Sequence, residues 1–291
     1  MLGVLNNISS IYAQNDLNNT QSNLSNVLQQ LSSGSRINSG ADDAAGLSLA
    51  DGLQANTTEL AQSAQNASQG VGFLQTADGA LSQVNSLMNR AVTLATESTN
   101  GTLSSAQLNA ANQEYQSILG EVSNIGANTQ YNGVNVFGGS VSIYTNGSTD
   151  TLSVHALSSS AVGDANGTLS YASSAFTYAS SATAGNQEDL HATSLTTSAA
   201  ATTALGDINT AITDVAAERG YVGSQVNLLN ATSSVMTTES VNLTSASNDV
   251  TATDYSSATS QMSKDEILMQ TGISALAQAN STQQMVTKLL Q

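Results

Sequence analysis

The chain has 291 residues, of which 4% are aromatic and none is Trp, so few of the large side chains that fill a globular core are present. It carries 21 acidic against 5 basic residues, a net charge of −16, which argues against nucleic acid and anionic membrane surfaces because both need clustered Lys or Arg. Charged residues make up only 9% of the chain, and the absence of Cys removes disulfides, thiolate metal ligands and thiol catalysis together.

The start, Met1-Leu2-Gly3-Val4-Leu5-Asn6-Asn7, has no positive region and no long apolar run, so neither a secretory signal nor a membrane span is expected. Pro is absent, and no ring interrupts a helix anywhere. The first predicted helix carries Leu17, Thr20, Leu24, Val27 and Leu31 at alternating steps of three and four. After it, Asp42-Asp43 is placed to start a second helix, since carboxylates there accept free amides and suit the helix dipole. A looser stripe follows at Leu81, Val84, Met88, Ala91 and Ala95, flanked by Leu87 and Leu94. Ser98-Thr99-Asn100-Gly101-Thr102 reads as a turn, and Ser104 or Ser105 caps the next helix. That helix presents Leu108, Ala111, Tyr115, Ile118, Val122 and Ile125, which predicts an antiparallel helical hairpin.

From 138 to 194 the pattern changes. Val141-Ser142-Ile143-Tyr144 and Leu152-Ser153-Val154-His155 alternate around Asn146-Gly147-Ser148, the pattern of a β-hairpin. Residues 158–184 are rich in Ser, Ala, Thr and Gly and predict a small outer elaboration or mobile loops. The clearest periodicity comes next, with Leu205, Ile208, Ile212, Val215, Arg219, Val222, Val226, Leu229, Ser233, Met236, Ser240 and Leu243. A continuous helix through these residues would be roughly 58 Å long, which suits a rod better than a small globule. Three such seams, from the two hairpin helices and this one, can close on one another. A last apolar surface is formed by Met269, Ile273, Leu276, Met285, Val286, Leu289 and Leu290. The stripes at the two ends are one-sided, and an isolated amphipathic helix is marginal in water. Both ends are therefore expected to order only against neighbouring subunits.

No constellation of catalytic residues emerges. His155 and His191 are the only histidines and have no metal-ligand spacing around them. Gly70-Val71-Gly72 and Gly138-Gly139 lack the strand, helix and Lys of a phosphate loop and read as turns or close packing. Arg219, on a seam position, needs a partner from its own helix, such as Asp214 or Glu218, or from another helix. Neither a metal nor a cofactor is implied, and an enzyme hidden in the middle segment lacks convergent titratable groups.

The run Leu31-Ser32-Ser33-Gly34-Ser35-Arg36-Ile37-Asn38-Ser39-Gly40-Ala41-Asp42-Asp43-Ala44-Ala45-Gly46-Leu47 resembles the signature with which bacterial flagellins leave their first helix. Asn66-Ala67-Ser68-Gln69-Gly70, Gln75-Thr76-Ala77-Asp78-Gly79-Ala80-Leu81 and Thr129-Gln130-Tyr131-Asn132-Gly133 are similar to further landmarks of that family, in order. Ser263-Lys264-Asp265-Glu266-Ile267-Leu268, Ala275-Leu276-Ala277-Gln278-Ala279-Asn280 and Lys288-Leu289-Leu290-Gln291 resemble its C-terminus. The resemblance covers residues 1–138 and 195–291. It implies a mainly α fold, an elongated antiparallel helical bundle or coiled-coil rod built from both ends of the chain. Residues 1–40 and 252–291 would form the inner filament core, residues 41–138 and 195–251 an outer rod, and residues 139–194 a short variable region with the β-hairpin.

The function implied is that of a non-enzymatic subunit that self-assembles into the extracellular flagellar filament for swimming. The resemblance further implies type III export, a chaperone at the C-terminal helix, and contacts with cap and hook-associated proteins. Filament-core packing then falls to Leu17, Leu24, Val27, Leu31, Ile273, Leu276, Val286, Leu289 and Leu290, buried between protomers. Some flagellins are also ligands of the vertebrate Toll-like flagellin receptor. Arg90, Leu94 and Glu114 match the family's contact positions, whereas Val92 and Thr93 replace an Arg and a Glu, which implies weak recognition. The rival within the superfamily is a hook-filament junction protein, and the Asp-Asp-Ala-Ala-Gly signature and short middle favour the filament. A signalling coiled coil would call for a membrane span and an adhesin for repeated strand units, and neither pattern is present.

Overall fold

The computed structural model describes residues 7–145, 147–155, 157–158, 161–162, 168–172, 175–179 and 190–289. Helices dominate: α1 (Ile8–Ser33), α2 (Ala44–Thr99), α3 (Ser105–Asn128), α4 (Ser198–Thr251) and α5 (Tyr255–Leu289). Their ends follow from local chemistry. Asn7 caps α1, its side chain accepting from the Ser10 amide, and Gly34 ends the helix at φ 72°, a left-handed conformation costly for other residues. Asp43 opens α2, where its Oδ1 accepts from Gly46 N at 2.9 Å. Ser104 and Gln107 form a reciprocal capping box at the start of α3.

The strands pair only with their chain neighbours, as antiparallel two-stranded ribbons. They are β1 (Gln130–Tyr131) with β2 (Val134–Asn135), β3 (Gly139–Thr145) with β4 (Ser148–Val154), β5 (Leu157–Ser158) with β6 (Ala161–Val162), and β7 (Thr168–Ala172) with β8 (Ala175–Ala179). The β3–β4 hairpin runs in register from Gly139 opposite Val154 to Thr145 opposite Ser148. Ile143, Leu152 and Val154 are buried on one face of its pleat. The small β1–β2 hairpin turns through Asn132 and Gly133, both at positive φ. That Asn-Gly pair is a strong hairpin signal. The sequence reading above used it only as a family landmark.

Contacts divide the chain into two compact units, residues 1–57 with 241–291, and residues 58–240. In the first, α1 and α5 lie antiparallel: Asn7 donates to Ala279 O, Leu17 reaches Gly272, and Gly34 O accepts from Thr253 N. The connectors after α1 and before α5 pair through an antiparallel bridge from Ser35 to Ala252. In the second unit, one line of α2 is buried from Leu60 through Ala67, Leu74, Leu81, Val84, Met88, Ala91 and Ala95 to Ser98. Its late positions, Ala91, Ala95 and Ser98, are small residues, which is why the pattern there reads as loose. Tyr115, Ile118 and Val122 of α3 are buried as expected, with Leu108 and Ile125 half-buried at the ends.

On α4 one line of the expected seam is buried, at Ile208, Val215, Val222, Leu229 and Met236, with Leu243 half-buried. The second inward line lies one residue away from the expected one. Ala204, Ala211, Glu218 and Gln225 are buried, while Leu205, Ile212 and Val226 are half-buried and Arg219 lies at the edge. The reason is physical. A close helix approach selects small side chains, and a buried Glu with a partner occupies a position that a hydrophobicity pattern assigns to the surface.

Candidate assembly surface

The α1–α5 pair has two faces of different character. Its inner face joins Leu17, Thr20, Leu24, Val27 and Leu31 of α1 to Ala258, Met262, Asp265, Met269, Gly272 and Leu276 of α5. Of these, Val27, Ala258 and Asp265 are buried and the rest half-buried. Asp265 is held by Gln261, whose Nε2 donates to both carboxylate oxygens at 3.1 Å. The exposed faces are mainly Ser, Asn, Gln and Thr, with a few large apolar residues among them. Ile8, Ile11 and Tyr12 of α1 and Ile267 and Met285 of α5 point away from the partner helix, Tyr12 being 67% and Ile267 62% exposed. Leu28, Leu268 and Ile273 stand exposed on the flanks. Ile8, Ile11 and Tyr12, three and four positions apart on α1, form one exposed apolar cluster, the kind of patch that marks an interaction surface.

The sequence-predicted packing residues therefore separate. Leu17, Leu24, Val27, Leu31 and Leu276 meet within the chain, and Ile273 is exposed. Leu290 and the side chains of Val286 and Leu289 lie outside the described residues. Ile8, Ile11, Tyr12 and Ile267 were not singled out by the pattern, because each falls off the heptad stripe. The apolar character of an off-stripe residue was the available signal.

Between α1 and α2, Asp42 organises the turn: its Oδ2 accepts from Asn38 N, Ser39 N and Ser39 Oγ at 2.8 to 3.1 Å. These donors, the Asn38 amide foremost, hold its carboxyl below the ordinary Asp range. Arg36 Nη2 donates to Val250 O at 2.9 Å, on the last turn of α4, where a cation suits the helix end.

In the second unit, Arg219 finds its partner on another helix. Its Nε and Nη2 meet the two carboxylate oxygens of Asp78 on α2 at 2.8 and 3.3 Å, and this hydrogen bond raises the guanidinium's affinity for its proton. The β3–β4 hairpin docks where Gly70 leaves room on α2, against Ile143, Leu152 and Leu229. Tyr144 Oη donates to Glu59 at 2.7 Å, and this bond raises the hydroxyl's pKa above its ordinary value. Beside it an open groove of about 370 Å³ runs past Phe73, Tyr131, Val134 and Tyr144, with no carboxylate, ammonium or guanidinium in its lining. It offers no acid–base or nucleophilic pair. Segment 190–195 is strapped to α3: Tyr115 Oη lies 2.5 Å from Thr193 Oγ1, and Asn112 Oδ1 accepts from Leu195 N. Burial pushes the Tyr115 hydroxyl up, so it stays neutral at physiological pH.

The three receptor-matching residues are not equivalent. Arg90 and Glu114 pair with each other across α2 and α3 at 2.7 Å, both about half exposed. That bond lowers the Glu114 carboxyl below its ordinary range. Leu94 is buried at 3% exposure, inside the helical core. Among the described residues no group of three His, Asp or Glu is placed to hold a metal ion. No described helix is long and apolar enough to cross a membrane.

Comparison with known proteins adds a family. The model described as "Bacterial flagellin N-terminal helical region" matches residues 4–142, and that described as "Bacterial flagellin C-terminal helical region" matches residues 205–290. The chain is 30% identical over 292 residues to a flagellin of Listeria monocytogenes, covering 98% of both chains. It is 42% identical over 137 residues to a flagellin of Escherichia coli, covering 47% of this chain and 28% of that one. Among solved structures, the crystal structure of Bacillus cereus flagellin aligns with a TM-score of 0.45 at 25% identity, over 63% of this chain and 94% of that one.

Proposed function

The chain belongs to the bacterial flagellin family and is a structural subunit of the flagellar filament; on that premise, we propose that its polymerisation runs through the outward faces of the α1–α5 pair. The observation that carries this is the exposure of Ile8, Ile11, Tyr12, Ile267 and Met285 on helices whose other faces already pack together. Large apolar side chains left exposed on paired helices add stability when a further surface covers them. The terminal helices accordingly gain their full order in the filament, and residues 1–40 with 252–291 act as its inner core. Residues 41–138 with 195–251 act as the outer rod and residues 139–194 as a short variable region.

The same face suits the remaining partners. An export chaperone covers the outward residues of α5 before assembly, and cap and hook-associated proteins meet the filament ends through the terminal helices. We read the chain as non-enzymatic, because its titratable pairs bind one another and converge on no pocket. Toll-like receptor recognition is weak in this reading, since Arg90 and Glu114 are already paired and Leu94 is buried.

The test is seeded polymerisation. Purified full-length chain, seeded with fragments of its own filaments, is compared by sedimentation and negative-stain microscopy with a chain lacking residues 1–30 and 262–291. Filaments of uniform diameter from the first and a helical monomer from the second are expected. A trimmed chain that still grows filaments would overturn the assignment of assembly to the terminal helices.

A further inference from the structure

Glu218 stands on the inward line of α4 that otherwise carries Ala204, Ala211 and Gln225, and its side chain is 3% exposed. Both of its carboxylate oxygens are engaged by one residue. Oε1 accepts the backbone N–H of His155 at 3.2 Å, and Oε2 lies 2.8 Å from Nδ1 of the same imidazole. His155 directly follows β4, and its side chain is 22% exposed, so water can exchange its proton. One residue before it, Val154 O accepts from Gly138 N and closes the hairpin; two residues after it, buried Leu157 packs on Gly126 of α3. The imidazole thus sits at the point where the hairpin leaves the helices.

We infer that His155 and Glu218 form a proton-operated clasp, which holds the exit of the β3–β4 hairpin on α4 tightly when the imidazole is charged and loosely when it is neutral. A charged imidazole donates a charge-assisted hydrogen bond to the carboxylate, whereas a neutral one offers at best an ordinary N–H and leaves the buried carboxylate without a counter-charge. Histidine is the side chain whose ordinary titration, at about pH 6.5, falls in the physiological range.

The charged groups that neighbour the pair along the elements around it are mostly carboxylates. On α4, Asp214 precedes Glu218 by one turn and Tyr221 follows it; Arg219, the neighbouring cation, is matched by Asp78 of α2. Glu121 of α3 is exposed, and Asp150 of β4 accepts from Thr145. The clasp's contribution to stability is therefore present while the imidazole is charged and is lost as rising pH removes its proton.

The clasp acts within one subunit, so its test needs no filament. With only two histidines in the chain, NMR titration of the monomeric full-length protein resolves both imidazoles, and His155→Asn identifies which signal is which. Glu218→Gln is expected to lower the His155 midpoint by about one pH unit or more, a tenfold weaker hold on the proton, without moving His191. Amide exchange in β3 and β4, corrected for its intrinsic pH dependence, should lose protection about tenfold relative to α2 from pH 6 to pH 8.5, and His155→Asn should remove that difference. An unmoved midpoint in a folded Glu218→Gln protein overturns the clasp. So does an unchanged pH dependence in His155→Asn, which decides alone if Glu218→Gln fails to fold.

Discussion

Gly126 and Gly120 lie on the same helix, α3, and the same substitution at the two positions should act in opposite directions. At Gly120 a Cβ would meet nothing within 4 Å. Replacing Gly by Ala in a helix interior gains about 0.8 to 1.0 kcal/mol, because Ala loses less backbone freedom and covers the helix. At Gly126 a Cβ would fall within the van der Waals shell of Leu157 O and 2.8 Å from its carbonyl carbon. Both are backbone atoms, so β5 itself has to retreat, by roughly 1 Å or more, to restore ordinary contact. Overpacking of this kind typically costs 1 to 3 kcal/mol. Releasing buried Leu157 instead forfeits about 1.5 to 3 kcal/mol. After the helix gain is subtracted, Gly126→Ala should lose up to about 2 kcal/mol. A unit of this size shifts Tm by about 2 to 4 °C per kcal/mol, so Gly120→Ala should rise by a few degrees and Gly126→Ala should fall. Thermal unfolding followed by far-UV circular dichroism, on monomeric full-length chain, reads both. A Gly126→Ala protein that gains Tm as Gly120→Ala does would show that β5 does not lie against α3.

Ile267→Ser, on the outward face of α5, should leave the monomer's helicity unchanged yet abolish seeded growth, whereas Leu24→Ala, on the inner face, should lower the monomer's helicity as well; circular dichroism and sedimentation separate the two. Asp78→Asn should destabilise the second unit by only about 0.2 to 1 kcal/mol, since the pair it breaks with Arg219 is partly exposed at both partners; thermal unfolding checks this. The Asp42 carboxyl, held low in the folded chain by the Asn38 and Ser39 donors, contributes order above the unfolded Asp value and loses it as pH falls through the folded one. In an NMR acid titration its midpoint should lie below the ordinary Asp range, with the Asn38 and Ser39 amides shifting in step, and Asp42→Asn should remove that step.

Much of this architecture is legible in the chain because helices without Pro, written in heptads, leave little choice of secondary structure. The cap at Ser104, the start at Asp43 and the hairpin from Gly139 to Val154 are local chemistry and read directly. Where the pattern failed, the burial was not made of apolar residues. The inward line of α4 through Ala204, Ala211, Glu218 and Gln225 contains no large hydrophobe, so the larger neighbours Leu205, Ile212 and Val226 drew the seam one residue aside. Glu218 is buried because a partner from another part of the chain satisfies it. No spacing within α4 announces a contact with His155.

The terminal pair poses the complementary problem, and its solution bears on function. Heptad reasoning treats the stripe of an amphipathic helix as the side to be buried and the rest as solvent-facing. On α1 and α5 the inner face is diluted by Thr20, Ala258, Asp265 and Gly272, while Ile8, Ile11, Tyr12, Ile267 and Met285 stand outside. Small and polar residues within a seam yield little per residue buried, since hydrophobic stabilisation follows apolar area. A further gain remains at these exposed residues and becomes available only when another surface covers them. In the proposed assembly, pairing α1 with α5 sets the geometry, and a neighbouring subunit would supply the burial that the isolated pair lacks.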